Sequence, residues 1–428
     1  MSAFNDWFGP TDRRHFLRHL ASSTLGLPAA HFFSSLRANA ASPKQTQRSC
    51  IMLWMGGGPS HLDIWDLKPD SEKNGGPFKP ISTSAEGVRI TEHLPKVAKQ
   101  MHHLSIVRSL DSKEGNHDRG AYLMHTGYAP NPSVIHPAWG SMCAYELGEK
   151  MPGLGLPHCV SINSPGVSAG FLGMSYSPFV VQNPNAPVAN LKPAADVDQD
   201  RMARRLRMLS QVENQFIANR KAQAAVDHKA VYDKTLRMMN SRHKNLFNLE
   251  TEPANIRDAY GRSSFGSGCL MARRLVEQGV TYVEVALDGW DTHANNFDAL
   301  STRLLPTLDQ GMSALVADLA DRGLLDSTLI VWMGEFGRTP RINQNAGRDH
   351  WPRSWSVVLG GAGIKPGQVV GSTDKDGIEV TDRPVGVMDL IATMTKSMSI
   401  PIETEYVSPG GRPIKVVDHG KVIAELLG

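Results

Sequence analysis

The sequence predicts an α/β fold: a mostly parallel central sheet with helices on both faces. Three observations point there. Short, continuously apolar runs stop at glycines, as strands do when both faces are covered. Amphipathic stretches of helical period lie between those runs. The two patterns alternate along the chain instead of segregating, which favours strand–helix–strand units.

The first forty residues stand apart from that rhythm. Arg13 and Arg14 are followed by Phe16 and Leu17, a weakly apolar stretch, and Ala38-Asn39-Ala40. This order is that of a twin-arginine export signal over residues 1–40, and it predicts a periplasmic or extracellular mature chain. An amphipathic N-terminal helix with a chance arginine pair is the plainer alternative.

"RSCIMLWMGGG" (48–58) reads as a central strand stopped by three glycines. "HHLSIVRSL" (102–110) is a second strand, and "VTYVEVALDGWDTH" (280–293) a third. "STLIVWMGEF" (327–336) and "SWSVVLGGAG" (354–363) are two more. "GSGCLMARRLVEQG" precedes the third strand as a helix. After it, Leu304, Leu308, Met312, Leu315, Val316 and Leu319 recur at three and four, the period of an amphipathic helix. "VGVMDLIATMTKSM" (385–398) is a late helix. Residues 198–250, rich in Arg, Lys, Gln and Met and without glycine or proline, predict a helical hairpin inserted in the sheet domain. It reads as a lid or dimer contact, or as a solvated surface insertion. The Pro/Gly/Asn/Ser-rich stretch before it, "SINSPGVSAGFLGMSYSPFVVQNPNAPVANLKP", predicts a long loop.

Composition narrows the function classes. The 428 residues are 41% hydrophobic and 20% charged, as in globular chains, and the formal net charge is only +3. Nucleic-acid binding driven by bulk charge is therefore excluded. No apolar run reaches the roughly 18–20 residues of a membrane span. Cys50, Cys143, Cys159 and Cys269 form no C-x-x-C pair, which argues against a zinc–thiolate site; Cys50 and Cys269 sit in contexts typical of buried thiols.

Ligands of open α/β sheets bind beyond the carboxyl ends of the strands. His61 and Asp63 follow the first strand, and His117, Asp118 and Arg119 the second. Asp288, Asp291 and His293 follow the third, and Glu335 and Arg338 the fourth. Asp349 and His350 precede the fifth. Imidazole with carboxylate suits zinc, manganese or iron, and all-oxygen ligation suits calcium or magnesium. Singly, each has a plainer reading: Asp63 and Asp118 as helix N-caps, a lone histidine as a hydrogen-bonded core group. Jointly, Asp291, His293, Glu335 and His350 form the strongest group, because strand ends do not by themselves require histidine and carboxylate together.

Several motifs resemble the alkaline phosphatase and sulfatase superfamily. "LDSTLIVWMGEFGR" resembles its strand ending Asp-His-Gly. "RDHWPRSWSVVLGGAGIKPGQ" resembles its stretch where a metal-binding histidine precedes a strand. "AYLMHTG" and "VGVMDLIATM" resemble two of its helices. The chain from 45 to 428 resembles a bacterial family of exported proteins of unknown function in that superfamily. Its hallmarks are Gly-Gly-Pro-Ser, Trp-Asp-Thr-His, Gly-Glu-Phe-Gly-Arg-Thr-Pro and Gly-Arg-Asp-His-Trp. The resemblance implies an alkaline-phosphatase-like three-layer sandwich over 45–428 and a site for one or two divalent metal ions, among zinc, manganese, iron and calcium.

His350 matches the superfamily's late metal histidine. Asp291 and His293 match its Asp/His pair, spaced by two instead of four. Glu335 stands where a metal aspartate is expected, with Phe336 in place of a histidine, and Asp349 can make up the missing ligand. The aspartate after strand one is displaced beyond Gly56–Gly58, to His61 or Asp63. In "GNHDRGAYLMHTG", His117 occupies the place of the nucleophilic hydroxyl or thiol. That leaves direct attack by a metal-activated hydroxide, His117 as acceptor, or binding of an anion or sugar without hydrolysis. Two functions are expected. One is an exported metal-dependent hydrolase of a small phosphate or sulfate ester, with His117 and Asp118 near the chemistry and Arg119 and Arg338 clamping the anion. The other is a non-catalytic binding or surface-assembly protein that keeps a structural metal. Substrate and oligomeric state are not legible in the sequence.

Overall fold

In this computed structural model the described residues are 47–148, 154–188, 197–220, 223–241 and 243–427. The twin-arginine segment, residues 1–40, lies outside them.

Among the described residues, nine strands make one sheet. In chain order they are β1 (Ser49–Trp54), β2 (Leu104–Asp111), β3 (Cys159–Ile162), β4 (Phe179–Val181), β5 (Tyr282–Ala286), β6 (Thr328–Met333), β7 (Trp355–Gly360), β8 (Val369–Val370) and β9 (Val385–Gly386). Across the sheet the order is β8-β2-β7-β6-β1-β5-β3-β4, with β9 also beside β2. All pairings are parallel except those of β7, which runs antiparallel to both β6 and β2.

β1 is buried along its whole length. Its alternate side chains feed two cores, as the two-residue period of a strand requires. Ile51 and Leu53 join the core under α5 (Ser264–Glu277) and α6 (Leu305–Asp321). Cys50, Met52 and Trp54 join the core under α2 (Trp139–Gly148) and α7 (Val387–Ser397). Each fully buried Ile or Leu there contributes about 1.5–3 kcal/mol relative to exposure. The result is the three-layer arrangement expected from the sequence. α1 (His117–Thr126) lies on the second face, begun by an Asn116 cap and ended by Gly127 in the left-handed conformation, φ 79°. α3 (Gln199–Arg220) and α4 (Gln223–Asn240) occupy the 198–250 stretch.

Two features differ from the sequence expectation. The stretch read as one long loop contributes β4 and the end of β3. Strands of three and four residues next to proline and glycine are too short to show a period. β7 is reversed, a direction that an apolar run does not encode.

Candidate metal centre

The carboxyl ends of β5, β1 and β6 share one edge because the three strands are adjacent and parallel. β2 ends at the same edge, being antiparallel to β7, which is antiparallel to β6. The reversed β7 starts there. Residues after four strands and before a fifth therefore meet in one place.

After β1 the chain turns through Gly56–Gly58. Gly57 has φ 114°, a conformation that favours glycine, and a Cβ there would lie 2.4 Å from the Asp291 backbone nitrogen. The bare turn lets residues 290–291 press against it. Its N–H donates to Glu335 Oε1 at 2.9 Å. Beyond β6, Gly337–Arg338 pairs antiparallel with His350–Trp351, placing Arg338 opposite His350. The intervening loop folds onto the turn after β5. Arg348 N–H donates to the Thr292 carbonyl at 3.0 Å, and Asn296 N–H to that of Ala346 at 2.9 Å.

These contacts bring His117, Asp291 and His350 together, with donor atoms all within 4.8 Å of one another. The Nε2 atoms of His293, His350 and His117 lie 3.1, 3.2 and 3.3 Å from Asp291 Oδ1. His293 Nε2 is also 3.0 Å from His350 Nε2. On the other side of each ring, Nδ1 faces an acceptor. His117 meets Glu335 at 2.7 Å, His293 meets Asp349 at 2.6 Å, and His350 meets the Gly115 carbonyl at 2.7 Å. An acceptor at Nδ1 holds the proton there and leaves the Nε2 lone pair bare. Three Nε2 atoms then face one carboxylate oxygen.

The charges follow from this geometry. Partial burial works to raise the Asp291 carboxyl, but the Arg338 hydrogen bond and charge, with His350 and His117, hold it down at about 2. Arg338 donates to Asp291 Oδ1 at 2.5 Å. The Glu335 hydrogen bond raises His117 above the ordinary histidine value, and the His293 hydrogen bond lowers Asp349. Burial, then Glu335 and Glu284, raise Asp288 beside the Gly56 turn. Glu335 is only 4% exposed, and its Oε2 has no hydrogen-bond partner; neither has His117 Nε2. Unsatisfied donor atoms around an ionised carboxylate fit a cation.

The family described as protein of unknown function (DUF1501) matches residues 47–427. The chain belongs to the DUF1501 family. No curated protein matches its sequence. Among solved structures, this DUF1501 member is similar to the PsFucS1 sulfatase from Pseudoalteromonas sp., at 11% identity and a TM-score of 0.36 over 87% of this chain and 70% of that one. The phosphonate monoester hydrolase SpPMH from Silicibacter pomeroyi is 12% identical, with a TM-score of 0.34 over 89% and 76%. The lipoteichoic acid synthase LtaP from Listeria monocytogenes is 8% identical, with a TM-score of 0.35 over 83% and 72%.

Not every residue singled out in this DUF1501 sequence joins the cluster. Asp63 is fully buried and spends both oxygens on Arg348, at 2.7 and 2.9 Å, with Asn296 donating at 2.9 Å. His61 is buried with Nε2 3.2 Å from the Gly377 carbonyl, and burial lowers its pKa. Neither contacts Asp291, His117 or His350. Asp118 is exposed in the first turn of α1, on the helix beside His117. Arg119 turns outward to hold Glu114 with two hydrogen bonds of 2.6 and 2.7 Å. Arg338 is fully buried, donating to the carbonyls of Gly57, Gly58 and Arg348 besides Asp291. Both arginines are thus occupied, in place of the anion clamp expected from the sequence.

The sequence reading missed the supports. The Gly115 carbonyl orients His350, and a backbone acceptor leaves no residue-type signal. Asn343 donates to the His293 carbonyl at 2.9 Å and to Asp349 at 3.3 Å, and its own Oδ1 accepts from Asn345 and Gly347. The "NQNAG" turn signature carries that role.

Proposed function

We propose that this DUF1501 chain is a metal-dependent hydrolase of a small phosphate or sulfate ester, and that export through its twin-arginine segment delivers it to the periplasm or beyond. The observation that carries the metal is the meeting of three imidazole Nε2 atoms at Asp291 Oδ1. His117, Asp291 and His350 would hold the ion, with His293 beside them. A donor set rich in imidazole favours zinc, manganese or iron over calcium. Glu335, Asp349 and the Gly115 carbonyl orient the rings, and Arg338 keeps Asp291 ionised. A divalent ion there supplies Lewis acidity towards the oxygens of an anionic ester. Asp291 and His293 are nearly half exposed, so an ester can approach from solvent.

One observation favours the second reading, a metal-bearing binding or assembly protein without turnover. His117 stands at the start of α1 where an ester hydrolase of this type would carry a hydroxyl or thiol, and Arg119 and Arg338 are already bonded. Metal analysis of purified protein, with turnover assays on aryl phosphates, phosphodiesters and aryl sulfates, separates the two. Bound metal with turnover lost in His350→Ala supports the hydrolase. Bound metal without turnover on any ester selects the second reading, and absence of stoichiometric metal removes both.

A further inference from the structure

The helical hairpin carries a surface that the metal centre does not use. α4 packs on the turn Met174–Tyr176, and α3 packs on α4. On the outward side of α3, Met208 is 68% exposed, Val212 67% and Phe216 49%. Their spacing of four residues sets them in one row. Arg204 and Arg205 continue the row one turn earlier, and Arg207 flanks it; all three are exposed and make no ion pair among the described residues. Of the nearby acids, Glu213 is held by His228 at 2.8 Å and Asp233 by Lys229 at 2.7 Å. The helix holds five arginines against two acids, in a chain whose whole net charge is +3.

We propose that this row docks on an anionic phospholipid surface, with Met208, Val212 and Phe216 at the acyl boundary and Arg204, Arg205 and Arg207 among the headgroups. An apolar row edged by unpaired arginines is the composition of helices that lie in a membrane interface. The charge argues against a second copy of the chain. Two such rows packed antiparallel about Val212 would set Met208 against Phe216, but would bring no carboxylate to either arginine group. An occupant must be both apolar and anionic. No helix among the described residues is long and apolar enough to cross a membrane, so the contact is peripheral.

Co-sedimentation of the full chain with phosphatidylglycerol vesicles and with phosphatidylcholine vesicles tests this. Binding to the anionic vesicles alone is expected, weakening as salt rises. Each arginine near such a surface strengthens binding about fivefold, so Arg204→Gln, Arg205→Gln and Arg207→Gln together should weaken it on the order of a hundredfold. Met208→Ser, Val212→Ser and Phe216→Ser together should abolish it. A Phe216→Trp variant reads the contact at one residue, without loss of the row: its emission should shift to the blue with anionic vesicles only. Absence of binding, or binding that neither triple variant weakens, overturns the proposal. So does an unshifted Phe216→Trp emission, or a concentration-dependent dimer that the serine variant dissolves, which would assign the row to a second copy.

Discussion

His293 and His350 face each other Nε2 to Nε2 at 3.0 Å, while Asp349 and the Gly115 carbonyl hold their Nδ1 atoms at 2.6 and 2.7 Å. An acceptor at each Nδ1 favours the tautomer that turns the two Nε2 lone pairs toward each other. A cation shared between the rings would remove that conflict.

His350→Ala should lower metal affinity by more than the 10–100-fold that is typical, roughly, of losing a supporting partner. The fold should persist, because His350 is partly exposed and lies outside both apolar cores. Calorimetric titration with zinc and manganese, beside far-UV circular dichroism, checks both halves. Unchanged affinity would falsify the assignment of His350 as a ligand.

Glu335→Gln should weaken metal binding about 10–100-fold. The amide can still accept from Gly57 N–H, but it loses the charge that fixes the proton on His117 Nδ1. Equal metal affinities for variant and parent would show that Glu335 only closes the Gly57 turn.

Asp63→Ala should act on stability, not on the metal. It strands Arg348, which is fully buried, and breaking such a pair costs about 3–5 kcal/mol. The midpoint of urea unfolding should fall, while the folded fraction binds metal as the parent does. A selective loss of metal would return Asp63 to the ligand set.

A buried pair beneath the centre sets a pH window. His125 on α1 meets Glu284 on β5 at 3.0 Å, and its Nδ1 faces the Ala121 carbonyl at 2.8 Å. Burial works to lower His125, but Glu284 outweighs it and the pKa is raised. For Glu284 burial works to raise the carboxyl, and His125 and Tyr282 bring it below the usual value. The histidine part of the stabilisation is complete below its unfolded pKa of about 6.5 and fades as pH rises through the folded value; the glutamate part is complete above about 4.3 and fades as pH falls. The parent should therefore gain most over His125→Leu/Glu284→Leu between about pH 4.5 and 6.5. Thermal unfolding of metal-free protein across pH 4–9 measures that difference; a flat difference would mean that the pair is uncharged.

Much of this was readable in the sequence, for reasons particular residues make plain. β1 and β6 are continuous apolar runs, and α6 repeats Leu308, Met312 and Leu315 at helical spacing, so layer and element type follow from period alone. His117, Asp291, His293 and His350 stand out because each adjoins an apolar run. What a period cannot carry is direction and partner. Nothing in "SWSVVLG" says that β7 is reversed, and nothing near Asp63 says that Arg348, across 285 residues, takes both its oxygens. Arg119 and Arg338 looked alike as anion binders; only geometry separates a guanidinium turned to Glu114 from one sealed under the Gly57 turn.

The reversal of β7 bears on when an ion can be captured. Because the centre draws on four strand exits and one entry, its groups are scattered in sequence: His350 lies 59 residues from Asp291, and His117 lies 218 from Glu335. No short segment of the nascent chain gathers two of the three imidazoles into a chelate, since closing such long loops is costly before the sheet exists. An ion held there would therefore arrive as a late guest, not as a folding template. With so little affinity for the disordered chain, nearly all of its binding energy would accrue to the finished fold. Which ion occupied the centre would then be settled by whatever compartment surrounds the protein when its sheet closes.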